Sequence, residues 1–532
     1  DDLDGGLTIG QNMYSQRSKS LYTQGDDLIF SDFQNMSVAS TVLTRESASR
    51  YRTSAGYAAG NLSFKNMLYL NLTARNEMSS TLPKEKNTFF YPSASLGFVF
   101  TEALGMSTNK ILPYGKIRAS WASVGKDAPP YSLESYYDQA AFSDGWTPGI
   151  PFPVDGVVGY SNSYILGNPQ LKPEKVNSTE FGVELKFLNN RIGIDATYYA
   201  SKSLDQILAT PVPGSSGYQY MYQNTGELTN NGIELMLTTT PVKTKNFKWD
   251  LNFNWSTNKS MVVSLGDTSI KSLFLGGFEG SAIYAVVGEE YGSIYGGRWL
   301  RDGNGNVVID DDPNSGNYGY PIVDNQVGVI GNVNPDWIGG LNTGFTWKDM
   351  ISLSATVDIR KGGDIWNGTK GALTFFGRTP NTVSALETPS EATNWLRYDT
   401  AHVFEGVKGH VDADGNLVLG DGANDVSVPL DQAWFQGNGG GFGSQAEDFV
   451  EDGSYIKLRE LSLTYTLNPK MLKGTPIAGL DISFIGRNLW LHTNYTGIDP
   501  ETSLTGSGNS QGMDYFNMPN TKSYGFSLRL TL

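Results

Sequence analysis

Asp302, Asn304 and Asn306 alternate with glycine in the stretch Asp302-Gly303-Asn304-Gly305-Asn306, and Asp310, Asp311 and Asp312 follow. Oxygen donors at alternate turn positions are what Ca²⁺ takes as ligands, so Asp302, Asn304, Asn306 and Asp310 form the candidate metal set. The sixth position of that loop is not Gly and the twelfth is not Glu. Stretches rich in Asp, Asn and Gly also make solvated turns without any ion, and a turn is the favoured reading. A structural Ca²⁺ is the one cofactor kept open, and none is required. His402, His410 and His492 are scattered and lack the spacing of a metal site. There is no G-x-S-x-G elbow, and Gly437 to Gly443 (GNGGGFG) neither follows a strand pattern nor opens a helix. The chain has no cysteine, so thiolate chemistry is excluded. These residues predict no covalent catalysis, and the expectation is that the chain is not an enzyme.

What they offer instead is contact. Trp146, Tyr160, Trp299, Trp366 with the adjacent Asn367, Trp395, Tyr398, Trp434 and Phe435 all fall in long segments without strand patterning. Aromatic faces stack on sugar rings and pack on peptide side chains, which suits capture of nutrient oligomers. The same rings would equally pack loops against one another or against a partner protein, and both readings stay open.

The elements that hold up these segments are hairpins. In Thr179 to Tyr199, Phe181, Val183, Leu185 and Phe187 occupy alternate positions, with Glu180, Gly182, Glu184 and Lys186 between them. After Asn189-Asn190, Ile192, Ile194, Ala196 and Tyr198 alternate with Gly193, Asp195, Thr197 and Tyr199. Strand side chains alternate faces, so this hairpin has one greasy face and one wet face, and Asn tolerates the positive φ of a tight reversal. Glu180, Glu184, Lys186 and Asp195 are the polar-face candidates. Similar pairs recur: Arg50–Phe64 with Met67–Ser80, Phe90–Leu104 with Ile111–Gly125, Gly226–Pro241 with Phe247–Val262, and Trp337–Trp347 with Ile351–Arg360. Leu7–Tyr14 precedes them as a short strand before a polar stretch. Ser454–Leu467, Leu480–Asn494 and Ser523–Leu532 follow. About fourteen strands result.

Connections alternate short and long, with the short ones at Lys65-Asn66, near Ser107, at Asn189-Asn190, near Thr244, near Asp349 and over Lys470–Gly479. A soluble sandwich has no reason to place every long loop at one end. An outer-membrane β-barrel does, with short periplasmic turns and long extracellular loops. Trp337, Gly339, Leu341, Thr343, Phe345 and Trp347 share a face. Ten steps of about 3.3 Å, tilted by about 40°, project to roughly 25 Å, the height of the lipid band between aromatic girdles. Composition agrees. Of 532 residues, 17% are charged and 12% aromatic, and the mean hydropathy of −0.30 suits walls that are apolar outside and polar inside. The net charge of −15 disfavours nucleic acid as a partner. Nothing at the start of the chain reads as a signal peptide.

Several stretches resemble the SusC/RagA-like TonB-dependent outer-membrane transporters. They are Asn168-Pro169 with Leu171-Lys172-Pro173-Glu174 and Glu180-Phe181-Gly182; Asn224-Thr225-Gly226 with Asn230-Asn231-Gly232-Ile233-Glu234; and Arg360, Gly362-Gly363-Asp364 and Asn367. Glu451 to Arg459 (EDGSYIKLR) and Arg487-Asn488-Leu489 with Tyr495, Gly497 and Asp499-Pro500-Glu501 complete the set. Each is moderately specific, but their order runs across almost the whole chain. The resemblance implies an all-β transmembrane antiparallel barrel of 22 strands, of which residues 1–532 would be the C-terminal part, without the plug and the first strands. It implies TonB-dependent import of nutrient oligomers, glycan favoured and peptide the alternative, in the Gram-negative outer membrane. A SusD-like surface lipoprotein would be the lid, and TonB would act through the N-terminal region. A passive porin or a barrel enzyme is the rival reading. The family commonly ends in an aromatic, and Leu532 departs from that.

Overall fold

The computed structural model describes every residue except 1, 31, 143–148, 267–268, 279, 383–400, 444 and 507. Fourteen long strands pair antiparallel in strict chain order to form one sheet. They are β1 (Leu3–Leu28), β2 (Ala39–Phe64), β3 (Leu68–Ser79), β4 (Thr88–Val99), β5 (Tyr114–Lys126), β6 (Glu174–Phe187) and β7 (Ile192–Pro211). Then come β8 (Tyr220–Lys243), β9 (Phe247–Ser264), β10 (Trp337–Trp347), β11 (Ile351–Lys361), β12 (Tyr455–Thr466), β13 (Gly479–Thr493) and β14 (Ser523–Thr531). Among the described residues β1 pairs only with β2 and β14 only with β13, so both edges of the sheet are open.

Register follows from alternation. Phe181 faces Tyr198, Val183 faces Ala196, Leu185 faces Ile194 and Phe187 faces Ile192. Residues directly opposite in an antiparallel pair lie on the same side of the sheet. One apolar face can therefore be followed from strand to strand: Ile194 to Leu237, Leu237 to Phe253, Phe253 to Leu341, Leu341 to Val357. It continues through Leu353, Leu463, Phe484 and Phe526. Slipping any strand by one residue would turn its whole apolar set to the other face, which is why the register is fixed. The rings on this face stay largely open, although some meet within it: Phe484 lies 5.3 Å from Phe526, and Phe345 stacks on Phe247 and Trp249. Phe181, Phe484 and Phe526 are 56, 60 and 63% exposed. In water that would be a continuous sticky surface; against lipid tails it is the ordinary outer wall of a barrel.

The tight turns lie where the sequence places them. Lys65 and Asn66, Asn189 and Asn190, and Lys348 and Asp349 all hold φ between 48° and 64°. Three expectations change. β1 and β2 run on through the polar stretch, pairing Ser15 with Arg52 and onward to Leu28 with Ala39. β2 parts from β3 at Thr53, so residues 15–28 and 39–52 form a two-stranded ribbon beyond the rest of the sheet. Backbone pairing holds it, helped by Lys19 with Glu46 at 3.7 Å and by the Tyr131 hydroxyl, which accepts from the Arg50 N–H at 3.1 Å; outside the lipid band it has no need of alternation. The connection near Ser107 is not a tight turn: β4 ends at Val99 and a helical turn, Phe100–Ala103, precedes β5. At the opposite end of the sheet, the connections at 29–38, 80–87 and 212–219 are short, so the long excursions are those at 127–173, 265–336, 362–454 and 494–522.

Those last three excursions interlock. In the first of them, Ser272–Phe278, Ser281–Val286, Ser293–Gly296 and Gly328–Asn332 form a small sheet of four strands. Asp364–Asn367 pairs with Val450–Asp452 on one side and Met513–Asp514 on the other, tying the second excursion to the third. Ile283 and Ile294 from the first excursion, Trp366, Ala446 and Phe449 from the second, and Met513 from the third share one buried core.

Candidate functional site

Glu180, Glu184, Lys186 and Asp195 lie on the face opposite the apolar one, as the alternation requires. Glu184 sits directly across from Asp195. Arg118 of β5 neutralises that acidic pair: its guanidinium donates to Asp195 at 2.6 and 3.0 Å and to Thr197 at 2.6 Å. Gly182 is what lets it cross, since a Cβ there would stand 2.4 Å from the Arg118 Nε. Lys186 pairs with Glu184 at 3.2 Å, and Ser120 reaches Glu180 at 3.5 Å. On this hairpin the polar face thus matches Asp195 with Arg118 and Glu184 with Lys186, while Glu180 has only the Ser120 hydroxyl in reach.

The loop aromatics divide. Tyr160 is exposed, at 67%. Trp299, Trp366 and Phe435 are buried, so of the two open readings they take the packing of loops against one another. Trp366 stacks on Tyr515 and packs on Phe278, which binds the three excursions together. Trp299 stacks on Trp434, which also lies against Tyr320 and Phe404, and the Trp299 indole donates to Asp448 at 3.0 Å. Burial of apolar rings between loops with little regular structure is the main force available to hold such loops. Trp146, Trp395 and Tyr398 lie outside the described residues. Asn367 is 1% exposed; its Oδ1 accepts from the Lys370 N–H at 2.9 Å, capping the helix Gly368–Phe375, while its amide reaches Glu451 and Thr496.

The candidate metal set is not assembled as a shell. Asp302 accepts hydrogen bonds from the backbone N–H groups of Asn304 and Asn306 and from the Asn306 amide. The Asn306 amide and these N–H groups hold its carboxyl below the usual range. Asp310 is buried and accepts from Ser315 and the Asp312 N–H. The stretch Asp412 to Asn416 makes the same three bonds as Asp302 to Asn306, so local turn chemistry accounts for the pattern. Among the described residues no group of three or more His, Asp or Glu is gathered to hold a metal ion.

A cluster that the residue chemistry did not single out lies where β11 and β12 meet the third excursion. Lys457, its side chain 2% exposed, donates to both oxygens of Asp499 at 3.0 and 3.1 Å and also to Glu501. Arg459 bridges Glu501, at 2.6 Å from Nη1, and Asp358, at 3.0 Å from Nε. The Tyr455 hydroxyl donates to Glu501 at 3.0 Å. Burial pushes the Glu501 carboxyl up, but the hydrogen bonds and charges of Arg459 and Lys457 outweigh it and hold its pKa at about 2. Chemically this is a clamp that fixes residues 499–501 against the wall. Two of the stretches quoted above, EDGSYIKLR and DPE, turn out to be its two halves. Their opposite charges were the available signal.

Comparison with known proteins places the whole. The sequence pattern of the family described as TonB dependent receptor-like, beta-barrel, matches residues 1–401. TonB-dependent receptor P3 of Formosa agariphila is 25% identical over 88% of this chain and 44% of its own length. TonB-dependent receptor SusC of Bacteroides thetaiotaomicron is 30% identical over 39% of this chain and 21% of its own. The chain spans about half the length of the longer-matching relatives. The solved RagAB peptide transporter superposes with a TM-score of 0.72 at 19% identity, covering 99% of this chain and 53% of that one. The chain belongs to the TonB-dependent receptor-like β-barrel family, and it lies in the outer membrane as barrel wall with its interlocked loops at one end.

Proposed function

We propose that this chain forms part of the wall and the outer loops of an active importer that takes up nutrient oligomers, oligosaccharide in preference to oligopeptide. The observation that carries the reading is the combination of a continuous apolar outer face with a polar inner face beneath a single body of loops. A surface lipoprotein of the SusD type caps those loops and closes over captured ligand. TonB, acting through the remainder of the protein, drives release inward. The names of the relatives support this: one is SusC, and RagAB is a peptide transporter. Lumen-facing Glu180, Glu184, Lys186 and Asp195 contact the plug or the passing solute. No covalent step is involved, and no cofactor is required.

The test is isolation of the intact protein from outer membranes in detergent, together with uptake by cells carrying or lacking TonB. Co-purification of a surface lipoprotein, with uptake of an oligomer that stops when TonB is removed, is the expected result. A lone barrel that conducts ions freely, or uptake indifferent to TonB, would replace the importer with a passive pore.

A further inference from the structure

The connections at the end of the sheet opposite the interlocked excursions all carry an exposed cation. These are Lys65 between β2 and β3, Lys110 between β4 and β5, and Arg191 between β6 and β7. Lys245 lies between β8 and β9, Lys348 between β10 and β11, and Lys470 with Lys473 between β12 and β13. The acidic residues of the same connections are Glu102 and Asp349 alone. The whole chain carries −15, so this end is opposite in sign to the rest. Among the described residues only Lys65 of these cations has an acidic partner, Asp2 at 3.5 Å. Arg191 donates to the carbonyls of Thr240 and Pro241, which holds its guanidinium but does not neutralise it.

One place at this end joins charge to rings. Phe247 stands opposite Trp347 on the apolar face, and Phe345 stacks on Phe247 and Trp249. The two turns just beyond these rings touch, the Lys348 N–H donating to the Asn246 carbonyl at 2.7 Å. The Lys348 ammonium lies 4.6 Å from the centre of the Trp347 ring. Asp349 is the one acid in the two turns, against Lys245 and Lys348, and Lys243 is exposed just before them. Aromatic rings settle at the boundary between lipid tails and headgroups, and lysine stems run along apolar surface to put their charge above it. An acidic protein segment would meet the same charges but would have no use for rings that face lipid. An acidic lipid meets both.

We infer that the junction of turns 244–246 and 348–350 binds an anionic phospholipid of the leaflet at this end, its phosphate held by Lys245 and Lys348 and its chains lying on Phe247, Phe345 and Trp347. The site belongs to the barrel wall and is independent of what the barrel carries. The test uses the full-length transporter, stripped of lipid in detergent, with phosphatidylglycerol and phosphatidylcholine as probes and native mass spectrometry as the readout. Phosphatidylglycerol is expected to be retained over phosphatidylcholine and to shield Lys245 and Lys348 from an amine-acetylating reagent. Lys245→Gln and Lys348→Gln should each weaken retention about fivefold, while Lys348→Arg keeps it. Both lysines are exposed, so the unfolding midpoint without lipid should not move. Equal retention of the two lipids overturns the inference, as does unchanged retention in the double Gln variant. Shielding of both lysines before any lipid is added would give the junction to a protein segment, and equal shielding by inorganic phosphate would give it to a soluble anion; either result also overturns it.

Discussion

Lys457 carries its charge into a site where 2% of its side chain meets solvent, and Asp499 and Glu501 make that tolerable. Removing one partner of such a pair leaves the other as a buried uncompensated charge, a loss of about 3–5 kcal/mol. Lys457→Met should therefore free residues 494–522 to protease and lower the unfolding midpoint, whereas Arg487→Met, whose pair with Glu460 is exposed, should change little. Acid should act on the same clamp. The folded-state pKa of Glu501 is held down to about 2, so its contribution is fully present above the ordinary carboxylate value and disappears as pH falls from there toward 2. Loss of protection in segment 494–522 over that window, measured by hydrogen exchange, is the expected signature, and Glu501→Gln should remove most of that pH dependence. Residue types offered opposite charges in two stretches but not which of them would meet. Lys457 and Asp499 are far apart in sequence, and only the pairing of β12 with its neighbours, together with the course of the third excursion, brings them together.

The hairpin of β6 and β7 shows what a strand pattern does specify. Its register and turn follow from alternation and from two asparagines. Leu188 also holds positive φ, at 53°, which no pattern of faces would reveal. Asn190 sits at 64°. Asn190→Ile places a β-branched side chain in the left-handed region and should cost about 1–2 kcal/mol, while Asn190→Gly should be near neutral; unfolding in detergent micelles reads both. The loop strands were illegible for a complementary reason. Segments such as Val450–Asp452 and Met513–Asp514 are too short to show a period, and each is a strand only because a distant segment lies beside it. Buried Trp299 and Trp366 were readable as aromatic but not as inward, since burial among loops leaves no periodic trace.

At the scale of the molecule, the two faces of one sheet meet two different solvents. Leu251 and Asn252 are neighbours on β9, yet the first lies on the apolar face, paired with Thr343, and the second on the polar face, opposite Asn342. Leu251→Arg near the middle of the lipid band should destabilise by about 2–4 kcal/mol, and Asn252→Arg by far less, in chemical unfolding from lipid bilayers. Equal losses would mean that the assigned faces are wrong. The shared core of the outer excursions has a consequence for how such a protein diversifies. Ile283, Trp366 and Met513 come from three separate connections and fill one interior. A single connection exchanged for that of a relative would leave a hole or a clash in the other two. Changes of specificity that alter this interior should therefore arrive as co-inherited sets. An engineer wishing to graft a new recognition surface should transplant the three connections as a cassette, leaving the hairpins beneath untouched.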